Sequence, residues 1–148
     1  MIDHDAKVVS HTRTIPAPAG DIFELLADPR RHHEIDGSDM VQAARVGGPE
    51  RLSMGAKFGM DMKFGPIPYR ITNEVVTFEE GREIAWRHFG HHVWRYELTP
   101  VDEHTTEVTE RFEWGEARVP AMYPLAKYPQ QHDGNIERTL ERLAERFA

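Results

Sequence analysis

One carboxyl group in the sequence lies where an apolar side chain is expected. Residues 108–114 alternate apolar with polar side chains, and Glu110 falls on the apolar side of that alternation. Burial in apolar surroundings raises the pKa of a carboxyl group, which can then exchange a proton with a bound carbonyl compound. Glu110 is therefore a candidate acid or base. A core carboxyl bonded only to a neighbouring side chain or a buried water would leave the same pattern.

The preceding strand supplies Tyr96 as a partner for Glu110. Residues directly opposite in an antiparallel pair point to the same face of the sheet. A turn at residues 102–104 places Tyr96 opposite Glu110 and Trp94 opposite Phe112. We therefore predict that Tyr96 and Glu110 lie side by side, where both can take part in proton transfer.

His88 is the third candidate for acid/base chemistry, with a hydrogen-bonded core histidine as the alternative interpretation. Turns at residues 90–92 and 80–81 set the pairing of the strands on its two sides. With these pairings, two rows of side chains cross one face of the sheet. One row is Asn73, His88, Trp94 and Phe112, and the other is Val75, Trp86, Tyr96 and Glu110.

Two further groups of apolar residues are candidates for contact with a ligand. One is a wall on two strands, where flexible methionine side chains suit a variable ligand. The other is a lid formed by the proline-rich segment 117–129. The alternative interpretation of the wall is plain core packing, and that of the lid is a surface loop. The wall consists of Met60, Met62, Phe64 and Tyr69, and the lid includes Met122 and Tyr123.

The histidines do not form a recognisable metal-binding pattern. The chain has 9 histidines and no cysteine. His91 and His92 fall in a turn, strand alternation separates them in direction from His88, and no acid follows at zinc-ligand spacing. The glycine-containing segments match neither a phosphate-binding loop nor a dinucleotide fingerprint. We expect no metal and no cofactor.

Strands and one long helix must position these side chains. Alternation with a period of two predicts about seven strands, at residues 7–15, 40–46, 58–64 and 69–78 and three more within 84–114. Short helices are predicted at 21–27 and 30–34. An apolar stripe at helical spacing predicts a helix from about residue 135 to the end, and prolines exclude a continuous helix over 117–129. The order indicates a single α+β domain spanning 1–148, with an antiparallel sheet.

Charge and composition limit the partners. A net charge of −7 argues against nucleic acid, which requires a clustered basic surface. No apolar run reaches the length of a membrane span, so we expect no integral membrane contact. The N-terminus has no apolar signal core and the chain has no cysteine, which together predict a cytoplasmic location.

Several short segments resemble the START and polyketide cyclase/dehydrase-like superfamily, also called SRPBCC. Residues 13–18 read RTIPAP, residues 22–32 read IFELLADPRRH, and IDGS, REIAW and TLERL follow at 35–38, 82–86 and 139–143. The resemblance implies a helix-grip fold, in which a curved antiparallel sheet wraps around the long C-terminal helix. It also implies a cavity between them for an apolar or aromatic molecule.

Three hypotheses about function follow. The first is a binding protein for a hydrophobic small molecule such as a lipid, a polyketide or a related metabolite. The second is a polyketide cyclase or dehydratase using Glu110, His88 and Tyr96. The third is a protein-interaction module with a filled core. The sequence leaves a homodimer open.

Overall fold

The frame of the molecule is one antiparallel sheet that curves around a long helix. The computed structural model describes residues 1–45, 47–88 and 90–148. Within them the strands are β1 (Ile2–Asp3), β2 (Val8–Ile15), β3 (Val41–Ala44), β4 (Lys57–Phe64), β5 (Ile67–Glu79), β6 (Glu83–Arg87), β7 (Val93–Asp102) and β8 (Thr105–Glu113). Their order across the sheet is β1-β2-β8-β7-β6-β5-β4-β3. The helices are α1 (Ala19–Leu26), α2 (His32–Ile35), α3 (Met122–Leu125) and α4 (Tyr128–Arg146), and a 3₁₀ turn (Pro29–Arg31) precedes α2.

The predicted α+β helix-grip fold is confirmed, with one strand more than expected. The extra strand is β1, in which Ile2 and Asp3 pair with Val9 and Val8 of β2. Two residues are too few to show a period of two, so alternation gave no signal for this strand. The predicted strand over residues 40–46 is shorter than expected, and its last residue, Val46, lies outside the described residues.

Helix α4 fills the inside of the grip and packs mainly on β2. Of its predicted stripe, Ile136, Leu140 and Leu143 are buried, whereas Phe147 follows the last helical residue and is only partly buried. The helix begins at Tyr128, earlier than predicted, because Pro129 occupies the first turn. A proline there is tolerated since the N–H it lacks would have no helical partner. Prolines confine α3 to a single turn, as the sequence suggested.

The loop after α2 lies against α4 through a glycine. The Gly37 N–H donates to Thr139 Oγ1 at 2.8 Å, and the Gly37 carbonyl accepts from Arg138 Nε at 2.9 Å. A Cβ atom on Gly37 would lie 2.7 Å from the backbone nitrogen of Thr139. Only glycine allows this close approach, so the contact fixes the loop against the helix.

The predicted pairing of β7 with β8 is confirmed. Tyr96 lies opposite Glu110, and Trp94 lies opposite Phe112. The predicted pairing of Val75 with Trp86 is also observed. In the β5–β6 hairpin and in the β7–β8 hairpin, the turn differs in length by one residue from the prediction. A bulge in β5 and another in β7 restore the predicted pairings.

The predicted pairing of β6 with β7 is wrong by two residues. Trp86 lies opposite Trp94, not Tyr96, and β6 ends at Arg87 before reaching His88. The polar groups of His88 form hydrogen bonds within the loop that follows β6. Its carbonyl accepts from the His91 N–H at 2.9 Å, and its Nδ1 accepts from the Gly90 N–H at 3.1 Å. A shift of two residues keeps each strand side chain on its face, so the predicted faces of Trp86, Trp94 and Tyr96 are correct although the rows are not.

Candidate functional site

The centre of the candidate site is the pair formed by Tyr96 and Glu110. Both side chains are buried, with exposed fractions of 5% and 3%. The Tyr96 hydroxyl donates to Glu110 Oε2 at 2.9 Å. The other carboxyl oxygen, Oε1, is buried and has no hydrogen-bond partner among the described residues. One half of the carboxyl is therefore satisfied within the protein, and the other half is not.

The surroundings of Glu110 favour its protonated form. Burial raises the pKa of Glu110 well above its ordinary value, and the Asp36 carboxylate adds to the increase, while the bond from Tyr96 acts in the opposite direction. Burial and the adjacent carboxyl also raise the pKa of Tyr96. Because Oε2 accepts the tyrosine hydrogen, the proton of a neutral Glu110 lies on Oε1. That oxygen is then a buried donor without an acceptor, a costly arrangement that a ligand oxygen would relieve.

Aromatic rings line one side of this pair. Trp86 stacks on the ring of His32 with centroids 4.9 Å apart, and its edge contacts Phe58 at 5.6 Å. The same indole lies 5.8 Å from the Tyr96 ring. His32 is held there by a bond of 2.8 Å between its Nε2 and the Leu26 carbonyl. These flat, apolar faces suit an aromatic or conjugated ligand.

A second aromatic group lies next to Glu110 along β8. Phe112 contacts Trp94 at 4.8 Å and His132 of α4 at 4.3 Å. Burial lowers the pKa of His132 to about 4. His132 Nδ1 is a further buried atom with no hydrogen-bond partner among the described residues.

The loop between β6 and β7 is joined to α3 through histidines. His92 Nδ1 and the Tyr123 hydroxyl are hydrogen-bonded at 2.9 Å, and the His88 and His92 rings lie 4.0 Å apart. Burial, followed by the charges of His88 and His132, lowers the pKa of His92 to about 3. Burial also lowers the pKa of His88. His88 thus belongs to this loop group, whereas Tyr96 and Glu110 form their own bonded pair.

The predicted binding residues lie at three depths. Phe64 and Met122 are 62% and 53% exposed, so they lie at the rim of the fold and not inside it. Met62, Tyr69, His88, Trp94 and Tyr123 are partly buried. The fully enclosed ones are Met60, Asn73, Val75, Trp86, Tyr96, Glu110 and Phe112.

Two cavities lie at the periphery of the grip. One of about 310 Å³ lies between the 3₁₀ turn and β3–β4, lined by residues that include Pro29, Arg45 and Gly59. The other, of about 260 Å³, lies at the end of β6 and includes Asn73 and His88. Between sheet and helix, Trp86, Tyr96 and Phe112 share one continuous core with Ile136 and Leu140. A ligand above Glu110 would therefore have to separate packed side chains.

Sequence reasoning missed His32 and His132, which line the interior. Extending the α4 stripe backwards by one step of four residues leads from Ile136 to His132, and Pro129 marks the helix start. Reading the helix from Pro129 would have found this residue. Nothing local in the sequence indicates that His32 stacks on Trp86.

No set of three or more histidine, aspartate or glutamate side chains within the described residues is arranged to hold a metal ion. In the same part of the chain, no helix is both long and apolar enough to cross a membrane.

The fold is shared by solved structures of low sequence identity. A START superfamily protein from Mycobacterium smegmatis superposes with a TM-score of 0.72 at 16% identity, covering 95% of this chain and 96% of that one. Protein NE0264 from Nitrosomonas europaea gives a TM-score of 0.72 at 16% identity, covering 97% and 95%. These likenesses establish a START-like helix-grip fold.

The sequence itself establishes the family. Residues 6–148 match the family described as polyketide cyclase / dehydrase and lipid transport, and the chain belongs to that family. Rv0088, an uncharacterized protein of Mycobacterium tuberculosis, is 33% identical over 152 aligned residues, covering 100% of this chain and 67% of that protein.

Proposed function

We propose that the protein binds an apolar or aromatic small molecule between the sheet and α4, with Glu110 contacting a polar atom of the ligand. The observation that carries this proposal is the buried Oε1 of Glu110, which has no partner among the described residues. Buried polar atoms in native proteins are nearly always hydrogen-bonded, so an orphan atom at this position indicates a missing partner. Family membership supports a hydrophobic ligand.

The chemistry of the site specifies the polar group of the ligand. The groups that shift the pKa of Glu110 include the carboxylate of Asp36 but no lysine or arginine. A neutral carboxyl donates through Oε1, so the complementary group is an uncharged acceptor such as a carbonyl oxygen. A ligand carboxylate would add a second buried negative charge and is disfavoured. The preferred ligand is thus an aromatic or apolar ketone-like molecule.

Access to the interior is expected near the hairpin that joins the end of β4 to the beginning of β5. Along the inner face of this hairpin, Met60 is buried, Met62 is partly buried and Phe64 is exposed. The 260 Å³ cavity beside Asn73 and His88 lies on the same side. We expect a ligand to enter here, displacing the loop between β6 and β7 and the α3 turn bound to it.

The test compares matched ligands by the fluorescence of the interior tryptophans and by thermal shift. An aromatic ketone should bind about fivefold more tightly than the hydrocarbon of the same shape, since one hydrogen bond contributes about 1 kcal/mol. Glu110→Gln should keep this preference because its amide can donate in place of the carboxyl. A Glu110→Met, Tyr96→Phe double variant should lose it. No binding by either ligand class would contradict the proposal and favour a protein-interaction role.

A second candidate function is acid/base catalysis on a polyketide-like substrate. The raised pKa of Glu110 and its bond to Tyr96 favour it, since a carboxyl with a raised pKa retains its proton to higher pH than an exposed one and can act as a general acid. The Glu110→Gln variant separates the two functions. It should bind a substrate normally but lose turnover, and unchanged turnover would exclude Glu110 as the acid. His88 is the further candidate in such a reaction, and His88→Gln tests it in the same assay.

A further inference from the structure

A second buried polar atom without a partner lies on the inner side of α4. His132 as a residue is partly buried, but its Nδ1 atom is fully buried and has no hydrogen bond to the described residues. Its ring lies 4.3 Å from the Phe112 ring and 4.9 Å from the Trp94 ring, measured between centroids. Those two residues lie opposite each other in β8 and β7, so α4 holds the imidazole over the inner face of the sheet. Like Oε1 of Glu110, this atom indicates a partner that the described residues do not supply.

His132 and Glu110 are linked through the ring of Phe112. Glu110 and Phe112 are both buried and lie two residues apart on β8, so they share its inner face. The Cα atoms of residues at this spacing in a strand are about 7 Å apart. The Phe112 ring in turn contacts His132. A separation of this order matches a rigid aromatic ligand that carries one polar group at each end.

The surroundings of His132 keep its imidazole neutral. Burial lowers its pKa to about 4, and no nearby charge opposes this effect. The carboxylate of the next residue, Asp133, is bonded to His11 at 2.9 Å instead. His92 cannot serve as a charged partner, because its own pKa is lowered to about 3 and its Nδ1 is already bonded to the Tyr123 hydroxyl. The complementary group of His132 is therefore an uncharged one.

We propose that His132 Nδ1 is a second polar contact in the ligand site and that it bonds a hydroxyl group of the ligand. This inference rests on the proposed binding of a ligand at Glu110. A neutral imidazole has one N–H and one acceptor nitrogen, so Nδ1 donates or accepts according to the tautomer. A hydroxyl group fits either tautomer, whereas a carboxylate or an ammonium group would place a charge in apolar surroundings. The ligand is then a rigid aromatic ketone with a hydroxyl group at the end opposite to the carbonyl, and His132 determines the preference for that hydroxyl.

Three naphthalene probes test the second contact by isothermal titration calorimetry. They are 2-acetylnaphthalene, its 6-hydroxy derivative with the hydroxyl at the far end, and its 1-hydroxy derivative, whose hydroxyl bonds to its own carbonyl. The 6-hydroxy compound should bind about fivefold more tightly than 2-acetylnaphthalene, which is the factor that one neutral hydrogen bond contributes. The 1-hydroxy compound should show no such gain, because its hydroxyl is adjacent to the carbonyl.

Variants of two histidines assign this gain to one side chain. His132→Phe keeps a flat ring against Phe112 and Trp94 but removes Nδ1, so the gain should disappear. His132→Asn returns a polar group near the position of Nδ1 and should restore part of the gain. The matched control is His92→Phe, since His92 contacts the same Phe112 ring at 5.0 Å but its Nδ1 already has a partner. This control should keep the fivefold ratio, and thermal melting checks that each variant is folded.

Three results would overturn this inference alone. One is equal affinity of the unmodified protein for 2-acetylnaphthalene and its 6-hydroxy derivative, which would mean that water satisfies Nδ1. Another is a gain that persists in His132→Phe, and the third is a loss in His92→Phe as large as that in His132→Phe. The proposed contact at Glu110 is measured separately, by the preference for 2-acetylnaphthalene over 2-ethylnaphthalene. The Glu110→Met, Tyr96→Phe double variant should lose that preference and keep the hydroxyl gain, whereas no binding by any probe would contradict both proposals.

Discussion

Replacing Glu110 with glutamine should stabilise the protein at neutral pH. The amide oxygen of glutamine can accept the Tyr96 hydroxyl as Oε2 of the carboxyl does at 2.9 Å. The replacement therefore keeps the shape and the one internal hydrogen bond, and removes only the titrating proton. Burial raises the pKa of Glu110 well above its ordinary value of 4.5 in the folded protein. The unfolded chain has no such burial and titrates normally.

The size of the effect follows from proton linkage. Above pH 4.5 the unfolded chain releases a proton that the folded protein retains. The free energy of unfolding therefore decreases as pH rises from the ordinary pKa through the raised one, by about 1.4 kcal/mol for each pH unit. At pH values between the ordinary pKa and the raised one, the variant should gain stability relative to the original protein by up to about 1.4 kcal/mol for each pH unit. Near pH 4 the two should be similar, because the carboxyl is protonated in both states.

Urea unfolding at a series of pH values measures this difference directly. The histidines are common to both proteins, so their own pH dependence cancels in the comparison. The control is Glu107→Gln, a change on the same strand at an exposed position. It should show no growing difference with pH.

A stability difference that is independent of pH would refute the reasoning. It would mean that Glu110 ionises in the folded protein with nearly its ordinary pKa, which requires water or a cation at Oε1. The proposal of a neutral donor for the ligand would then fail as well.

Three other changes have defined outcomes. Gly37→Ala should lower the free energy of urea unfolding by about 1–3 kcal/mol, because its Cβ would lie 2.7 Å from a backbone nitrogen of α4. The control is Gly20→Ala, where nothing lies within 4 Å of the added Cβ. Equal stability of the two variants would contradict the close approach. Tyr96→Phe leaves the buried carboxyl without its donor and should cost about 1–3 kcal/mol, while an unchanged melting temperature would show that the bond contributes nothing. Burial lowers the pKa of His132 to about 4, so its contribution to stability is complete above the ordinary value of 6.5 and is lost as pH falls towards 4. In His132→Leu, the free energy of unfolding should decrease less on acidification, by up to about 1.4 kcal/mol per pH unit. An acid unfolding profile identical to that of the original protein would contradict the lowered pKa of His132.

Alternation along the strands was sufficient to predict the central pair. The period of two assigned Tyr96 and Glu110 to the inner face, and the short connection between β7 and β8 set them opposite each other. A register error of one residue would have turned one of them outward. The bulge at the end of β7 did not produce such an error, because the shorter turn compensated for it.

Helix α4 was only partly predictable. Its buried stripe of Ile136, Leu140 and Leu143 follows from helical periodicity. Its beginning at Tyr128 was hidden because a proline breaks a helix in the interior but is tolerated in the first turn. The position of His132 depended on that boundary.

The local periodicity of the sequence determined the α+β class with an antiparallel sheet, the inner face of that sheet and the pairing of Tyr96 with Glu110, while the helix-grip fold was implied by the resemblance of short segments to the SRPBCC superfamily. Only the tertiary structure decided that His32 stacks on Trp86, that His132 closes over Phe112 and that Glu110 Oε1 has no partner among the described residues. These contacts join segments far apart in the chain, and their geometry depends on how loops and helix ends pack. Periodicity fixes the direction of a side chain relative to its own strand or helix. It does not fix which distant side chain that direction meets.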